Sequence, residues 1–298
     1  MINAERIVMN NEEYRIISDY KENEKYRQSF NRLARKTYGF DFEEWYQQGF
    51  WGDRYCPYSL LHRDEIIANV SVNPIDFLIN GERKHTVQLG TVMTDQAYRK
   101  KGLIRELMSV VFAQFEPSCE LFYLYANDTV LDFYPKFGFT KAEEYVYTGK
   151  VQHNGGKFTY RKLNICNDND RRIITRLVTN TVPSAACQML DNSSLVFFYL
   201  ISFLSEQIYY FEQIDLLAIA EVDESSIILS DVFSEKPFDI NSIAGSLCEK
   251  ENMELILGYV PLDTSAFSCK ILKEEGSTFF IKGEKPFHKG RFPVLSHA

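Results

Sequence analysis

The sequence has few features that would mark several common classes of protein. Its six cysteines form no C-x-x-C pair and its five histidines form no H-x-x-x-H pair, so the residues suggest no metal site. The longest apolar run, residues 195–204, is about half the ~20 residues of a membrane-spanning helix. We therefore expect a buried helix there, and no membrane association.

Positive charge is also scarce. Residues 1–150 carry 19 Lys and Arg against 22 Asp and Glu, and residues 151–298 carry 14 against 19. Neither half has the basic excess that favours nucleic-acid binding, so we expect no nucleic-acid partner. The start of the chain lacks the apolar segment of an export signal, and we expect a cytoplasmic protein with reduced thiols.

Composition and length are those of a folded protein with two domains. Hydrophobic residues make up 45% of the 298 residues and charged residues 25%. The most turn-like segment near the middle is His153–Lys157, which reads H-N-G-G-K. We therefore predict domains at residues 1–150 and 151–298.

The most informative stretch runs from Gly90 to Met108. Alternation predicts a half-buried strand with Val87, Leu89, Thr91 and Met93 on one face, and an amphipathic helix is predicted to begin at Gly102–Leu103. A helix N-terminus attracts phosphate through its unpaired N–H groups and its dipole. The adjacent cations Arg99, Lys100 and Lys101 strengthen the prediction of an anion site.

The wording of this stretch resembles a known loop. Neither G-x-x-x-x-G-K-[ST] nor G-x-G-x-x-G occurs in it. R-K-K-G-L-I at residues 99–104 resembles the acyl-CoA pyrophosphate loop of the GNAT family of N-acetyltransferases, usually [RQ]-x-x-G-x-[GA], from which Ile104 departs. Its G-L-I-R wording is similar to the branch typified by enhanced-intracellular-survival acetyltransferases. The alternative is a solvated basic turn without a ligand.

A second motif follows at the spacing expected for that family. Leu121–Ala126 is an apolar run of strand length, typical of a strand covered on both faces. Asn127–Phe139 then reads N-x-x-x-x-x-F-Y-x-x-x-G-F, which resembles the GNAT segment that closes the acyl-CoA cleft. The pair of motifs is far more specific than either motif alone.

The resemblance implies an α/β fold with a mixed sheet, the GNAT acyl-CoA N-acyltransferase fold, and acetyl-CoA as co-substrate. It implies that Tyr134 is the general acid that protonates the departing CoA thiolate, although a packing role is the alternative. The residues that it assigns to acetyl-CoA are Val92, Met93, Thr94, Arg99, Lys100, Lys101, Gly102, Leu103, Ile104, Arg105 and Asn127.

The second half of the chain repeats the predicted order of elements without the anion site. Residues 226–232, 240–248 and 254–260 are predicted as strand, helix and strand. The connecting Ser234–Asp239 contains no glycine and little positive charge. We expect a degenerate GNAT-like domain, giving two GNAT-like domains in tandem.

Eight aromatic residues lie between Phe40 and Tyr58. They either pack two helices onto the sheet or form the wall of an acceptor pocket, where rings hold a cationic amine.

The acceptor and the general base stay open. We expect acetyl transfer to a small-molecule amine; the alternatives are a protein lysine or N-terminus, aminoacyl transfer from tRNA, or a regulator that binds acyl-CoA without turnover. A homo-oligomer is also left open. No general base stands out among Asp76, Glu65, His62, Glu43, Glu44 and Asp53. Ala298 is not expected to supply one, because the chain has no room for the third domain that carries that carboxylate in the similar branch.

Overall fold

The computed structural model describes residues 3–297 and arranges them into two mixed β-sheets with helices on their faces. The helices are α1 (Glu24–Tyr38), α2 (Glu43–Gln47), α3 (Leu103–Phe115), α4 (Asp168–Asn180), α5 (Ser193–Ser202) and α6 (Ile240–Leu247). The strands are β1 (Asn3–Met9), β2 (Glu12–Ser18), β3 (Cys56–His62), β4 (Glu65–Ile79), β5 (Glu82–Thr94), β6 (Leu121–Ala126), β7 (Thr140–Lys141), β8 (Tyr145–Gln152), β9 (Arg161–Lys162), β10 (Cys187–Leu190), β11 (Ile208–Phe211), β12 (Leu216–Val222), β13 (Ser226–Ser234), β14 (Asn252–Leu257), β15 (Ser268–Ile271) and β16 (Thr278–Gly283). Within this range no helix is both long enough and apolar enough to span a bilayer.

Both sheets follow the same plan. The first has the order β1-β2-β3-β4-β5-β6-β16-β7, with β10 paired to the end of β4, and the second has the order β15-β8-β14-β13-β12-β11-β9. Each contains one parallel pair: α3 connects β5 to β6, and α6 connects β13 to β14. The predicted strand–helix–strand order of the second half is therefore confirmed, as is the α/β class with a mixed sheet.

The two sheets exchange strands near their ends. β8 follows the first sheet along the chain, yet it pairs with β14 and β15 of the second. β16 comes from near the C-terminus and pairs with β6 and β7 of the first. The sheets are thus interlocked, and the division of the chain at residue 150 stays a prediction about domains that share strands.

Helices cover both faces of the first sheet. On the first face, hereafter the α3 face, Leu107 and Val111 are buried against Val87 and Leu89. On the opposite face, hereafter the α1 face, α1 and α2 pack together with α5, which comes from the second half of the chain. The two halves therefore share one hydrophobic core.

Most of the aromatic segment between residues 40 and 58 belongs to that shared core, whereas Tyr58 is buried on the α3 face. Five of its eight rings are at most 5% exposed: Phe42, Trp45, Trp51, Tyr55 and Tyr58. Trp45 Nε1 donates to the Ser194 carbonyl at 2.9 Å, and Phe42 stacks on Phe198 with ring centroids 5.2 Å apart. For these five rings the structure supports the packing interpretation.

Two features of the first sheet differ from what the sequence predicts. Glu13–Ile17 reads as a first strand, but it lies in the second, because β1 precedes it through a turn at Asn10 and Asn11, both with positive φ. Residues 66–72 and 75–79 read as two separate strands, yet β4 runs through both without a break. Pro74 lies after Val72, the last residue paired with β3, and before the residues paired with β10, so its missing N–H interrupts no ladder.

A buried carboxyl in the second sheet makes stability depend on pH. Asp231 on β13 is 6% exposed, and burial raises its pKa to about 7 although it accepts a hydrogen bond from the Val232 N–H. Because folding raises the pKa of this carboxyl, its ionisation lowers the free energy of unfolding. This loss of stability is absent below the pKa of the unfolded chain and grows as the pH rises toward 7.

We predict that Asp231→Asn raises the free energy of unfolding at pH 8 by as much as ~4 kcal/mol, since one pKa unit corresponds to about 1.4 kcal/mol. At pH 4 the two proteins should be nearly equal in urea titrations. Asp223→Asn is the control of opposite sign, because hydrogen bonds from Ser225 and Ser226 lower the pKa of Asp223 to about 2. An equal effect of Asp231→Asn at both pH values would contradict the account.

Candidate active site

A V-shaped gap opens between the two parallel strands of the first sheet. β5 and β6 pair only where Thr86–Gln88 lies beside Leu121–Tyr123. Beyond these residues, 89–94 of β5 and 124–126 of β6 are not paired with each other. The gap therefore exposes two strand edges that have no strand partner across it, and an extended ligand can pair with such an edge.

A β-bulge shapes the β5 side of the gap. Thr91 and Val92 together face the single Val70 of β4, and Thr91 has a φ of 40°. The extra residue reverses the alternation of side chains, so Met93 packs on the α1 face although Leu89 packs on the α3 face. The expectation that Val87, Leu89, Thr91 and Met93 share one face is therefore wrong beyond Leu89.

A buried polar network holds the bulged residue in place. Thr91 Oγ1 bonds the Tyr55 hydroxyl at 2.6 Å and donates to Ser71 Oγ at 2.5 Å, and its carbonyl accepts from Asn69 Nδ2 at 2.9 Å. Asn69 is in turn bonded to Ser59, at 2.7 Å. Because each partner is buried and hydrogen-bonded, the network offsets the strain of the positive φ at Thr91.

The predicted anion site lies where β5 leads into α3. Gly102 is the N-cap residue of α3, with a φ of 84° and no side-chain hydrogen bond to the helix. The first N–H groups of the helix are therefore left for a ligand, and glycine adopts this conformation without steric cost. The structure thus places an uncapped helix N-terminus at the predicted position.

The cations around this N-terminus are largely available to a ligand. Arg99, Lys100 and Arg105 are exposed, and none of them forms a salt bridge with another of residues 3–297. Lys101 is engaged with Glu12 at 3.5 Å and lies over the Tyr98 ring. The side chains of Leu103 and Ile104 pack on the α3 face, so these two residues offer backbone groups only.

The opposite wall of the gap carries the second predicted motif. Asn127 directly follows β6, and its Oδ1 accepts from the Thr129 N–H at 3.0 Å. Tyr134 is 5% exposed and packs against Phe139 and Phe280. Burial, with a smaller contribution from the phenol of Tyr38, raises the pKa of Tyr134, so it stays protonated at neutral pH.

One lining residue was missed by sequence reasoning. Tyr38, at the end of α1, donates from its hydroxyl to the carbonyl of Val92 at 2.9 Å. It therefore lies beside the β5 wall of the gap, within electrostatic range of Tyr134. No pattern in the sequence connects residues 38 and 92; only the packing of α1 on the sheet brings them together.

The carboxylates and the histidine considered as bases are occupied by neighbours. Asp76 is held by Arg83 and His85, Glu65 by Arg32 and Ser29, Glu43 by Arg27 and Asn31, Asp53 by Lys21, Glu44 by Gln48 and His62 by Tyr98. Burial alone would raise the pKa of Asp76 and Glu43, but their hydrogen bonds have the larger combined effect and lower it. Hydrogen bonds also lower the pKa of Glu65 and Asp53. Ala298 lies outside the described residues.

The equivalent gap in the second sheet is filled. β13 and β14 also part after Leu229 and Leu257, but the Val294 N–H donates to the Gly258 carbonyl at 2.9 Å. A Cβ at Gly258 would lie 2.7 Å from both Ser230 O and Val294 Cγ2. The segment around Val294 therefore occupies the space that is open in the first sheet.

The helix that follows the second gap is also capped. Asp239 accepts from the N–H groups of Asn241 and Ser242 with its own carboxylate. An anionic ligand would meet a negative charge there instead of free N–H groups. The second half thus repeats the architecture of the first without its anion site.

Comparisons with known proteins agree with this geometry. Residues 20–142 match the sequence model of the acetyltransferase (GNAT) domain, which confirms the resemblance to the GNAT family for this part of the chain. No curated protein matches the chain by sequence.

Solved structures share the fold of the whole chain. A conserved protein of unknown function from Enterococcus faecalis is 13% identical, with a TM-score of 0.54 over 94% of this chain and 72% of that one. A GCN5-related N-acetyltransferase from Kribbella flavida is 14% identical, with a TM-score of 0.54 over 90% and 71%. Eis1 from Mycobacterium abscessus is 11% identical, with a TM-score of 0.50 over 94% and 73%. At these identities the likeness concerns the fold, and it supports two GNAT-like domains in tandem.

We predict that Gly102→Asp weakens acetyl-CoA binding by at least ~100-fold, or about 3 kcal/mol, because a carboxylate at the start of α3 would repel a pyrophosphate. Calorimetry measures the change. Gly81→Asp is the matched control: Gly81 has a φ of 85° and nothing within 4 Å of an added Cβ, in a distant hairpin turn. Equal affinities of the two folded variants would refute the site.

Proposed function

We propose that the chain is an acetyl-CoA-dependent N-acetyltransferase with one catalytic centre, in the gap between β5 and β6. The observation that carries the proposal is an uncapped, cation-flanked helix N-terminus beside two diverging parallel strands. Acetyl-CoA has matching parts, an anionic pyrophosphate and an extended amide-containing arm. The pyrophosphate would bind the N–H groups that follow Gly102, with Arg99, Lys100, Lys101 and Arg105 around it.

The arm of acetyl-CoA would lie along the free edge of β5. Backbone groups of Val92, Met93 and Thr94 would hydrogen-bond its amides and the acyl carbonyl, in the way that a neighbouring strand would. Asn127 would contact the arm from the β6 wall. The polar network beneath Thr91 supports this assignment, because it fixes the backbone that would meet the reacting carbonyl.

Tyr134 would protonate the departing thiolate. Its buried ring is held by Phe139 and Phe280, and its raised pKa keeps the hydroxyl protonated throughout the neutral range. A positioned proton donor contributes typically 10²–10⁴-fold to the rate of such a step.

The acceptor is proposed to be a small-molecule amine in the cytoplasm. A protein lysine or N-terminus is the alternative that an acceptor screen decides. Aminoacyl transfer from tRNA fits less well, because the anion site of the first sheet is intact. A regulator without turnover would bind acetyl-CoA and release no CoA with any amine.

We predict that Tyr134→Phe lowers kcat by ~100-fold or more while acetyl-CoA affinity and the melting temperature stay nearly unchanged, since the ring is kept and only the proton donor is lost. Thiol release with spermidine, kanamycin, tyramine and a lysine peptide identifies the acceptor for the assay.

The matched control is Tyr58→Phe. Tyr58 is another buried tyrosine on the α3 face, and its hydroxyl donates to Gln114 at 2.8 Å, away from the gap. Turnover by Tyr134→Phe at the rate of the Tyr58→Phe control would leave Tyr134 as a packing residue.

A further inference from the structure

A chain of buried hydrogen bonds ends on the backbone carbonyl of Thr91. The Tyr20 hydroxyl bonds Ser59 Oγ at 2.6 Å, and Ser59 donates to Asn69 Oδ1 at 2.7 Å. Asn69 Nδ2 then donates to the Thr91 carbonyl at 2.9 Å. The first three residues are at most 1% exposed, so water does not compete for these hydrogen bonds.

The last acceptor fixes the direction of every bond in this chain. A carbonyl oxygen cannot donate, so the Asn69 atom that meets Thr91 must be the amide nitrogen, and Oδ1 must face Ser59. Ser59 then uses its single proton on Asn69, and Tyr20 has to donate to Ser59. All three donors therefore point toward the Thr91 carbonyl, and hydrogen bonds aligned in this way strengthen one another.

The bonded carbonyl determines where the next N–H points. The Thr91–Val92 peptide is trans, so its carbonyl oxygen and its N–H lie on opposite sides. The carbonyl is held by Asn69 of β4, and β4 and the gap lie on opposite sides of β5. The Val92 N–H thus points away from β4, on the side of the gap. The Val92 carbonyl is occupied by the Tyr38 hydroxyl at 2.9 Å, so a ligand meets a donor here and not a free carbonyl.

The second sheet shows that a bulge forms without such a chain. On β13, Ser230 is the extra residue between the pairs that Ile219 and Ala220 of β12 form. These two apolar residues, both fully buried, occupy the positions that Asn69 and Ser71 have on β4. None of the described residues 226–234 of β13 has a positive φ. The polar chain and the turned peptide therefore accompany the open gap, and the bulge alone does not account for them.

We propose, on the basis of the proposed function, that Asn69 is a positioning residue for the acetyl transfer. With Ser59 and Tyr20 behind it, Asn69 orients and polarises the Thr91–Val92 peptide. The Val92 N–H is then a stronger donor to the carbonyl oxygen of bound acetyl-CoA, because a hydrogen bond accepted by a peptide oxygen strengthens the one donated by the N–H of the same peptide.

The effect is largest when negative charge develops on the acetyl oxygen. As the amine nitrogen bonds to the acetyl carbon, the C=O electron pair moves onto the oxygen, which accepts from the Val92 N–H. The pair returns as the C–S bond breaks; the sulfur takes the proton of Tyr134, and the nitrogen returns a proton to Tyr134 through water. One amine and acetyl-CoA give an amide and CoA thiol, and the chain through Asn69 moves no proton.

The test is the infrared carbonyl band of bound acetyl-CoA that carries carbon-13 at the thioester carbonyl. Hydrogen bonding weakens the C=O bond, so we expect a lower frequency on the wild type than in solution. Asn69→Leu has a similar volume but no donor, and it should lose most of this shift while acetyl-CoA affinity by calorimetry stays nearly unchanged. With the best acceptor among spermidine, kanamycin, tyramine and a lysine peptide, kcat should fall ~10–100-fold without a change in the KM for acetyl-CoA.

Tyr55→Phe is the matched control. It removes a buried hydroxyl that bonds the Thr91 side chain at 2.6 Å but leaves Asn69 on the carbonyl, so the infrared shift should be kept. An equal loss of the shift in Tyr55→Phe would mean that the network only supports the bulge, and it would overturn the polarising role. If Asn69→Leu does not fold, Tyr20→Phe removes only the first donor of the chain and should reduce the shift in part.

The infrared readout needs no acceptor, and this separates the two possible failures. Bound acetyl-CoA with no shift on the wild type, or with the same shift on the wild type and the folded Asn69→Leu or Tyr20→Phe variant, overturns the role of Asn69. Failure of the wild type to bind acetyl-CoA, or to release CoA with any amine while the shift is present, overturns the proposed function instead.

Discussion

The separation of β5 from β6 is the constraint on which the rest of the structure depends. Two parallel strands normally continue their ladder, but the bulge at Thr91 turns the end of β5 away from β6. A non-glycine residue with positive φ costs on the order of 1–3 kcal/mol, and the buried hydrogen bonds around Thr91 contribute about 1 kcal/mol each. The polar network therefore stabilises the strained backbone at Thr91, and with it the bulge that keeps the gap open.

The two sheets differ in whether the gap between their parallel strands is open or filled. In the second sheet the segment around Val294 fills the gap, and Asp239 caps the helix that follows. In the first sheet the gap is open, and Gly102 leaves the helix uncapped. The exchange of β8 and β16 joins the sheets. The same C-terminal region that closes the second gap therefore also packs Phe292 and His297 against Tyr123 and Tyr125 of β6 in the first sheet.

Local features of the site were predictable from the sequence, and its long-range contacts were not. The loop at Gly102 and the segment Asn127–Phe139 each consist of adjacent residues, so their sequence and spacing predicted that they would lie on the two sides of one gap. The bulge was missed because Val87, Leu89 and Met93 keep a period of two in the sequence. Tyr38 and Val294 were missed because their partners are far along the chain; Val92, for example, is 54 residues from Tyr38.

Hydrogen–deuterium exchange with and without acetyl-CoA tests the central claim most directly. The claim is that only the first gap, with its uncapped helix, binds the co-substrate. It predicts that acetyl-CoA slows exchange of the amides of residues 92–105, while residues 234–243, at the equivalent turn of the second sheet, do not change. Protection of residues 234–243, or no protection of residues 92–105 at saturating acetyl-CoA, would contradict it.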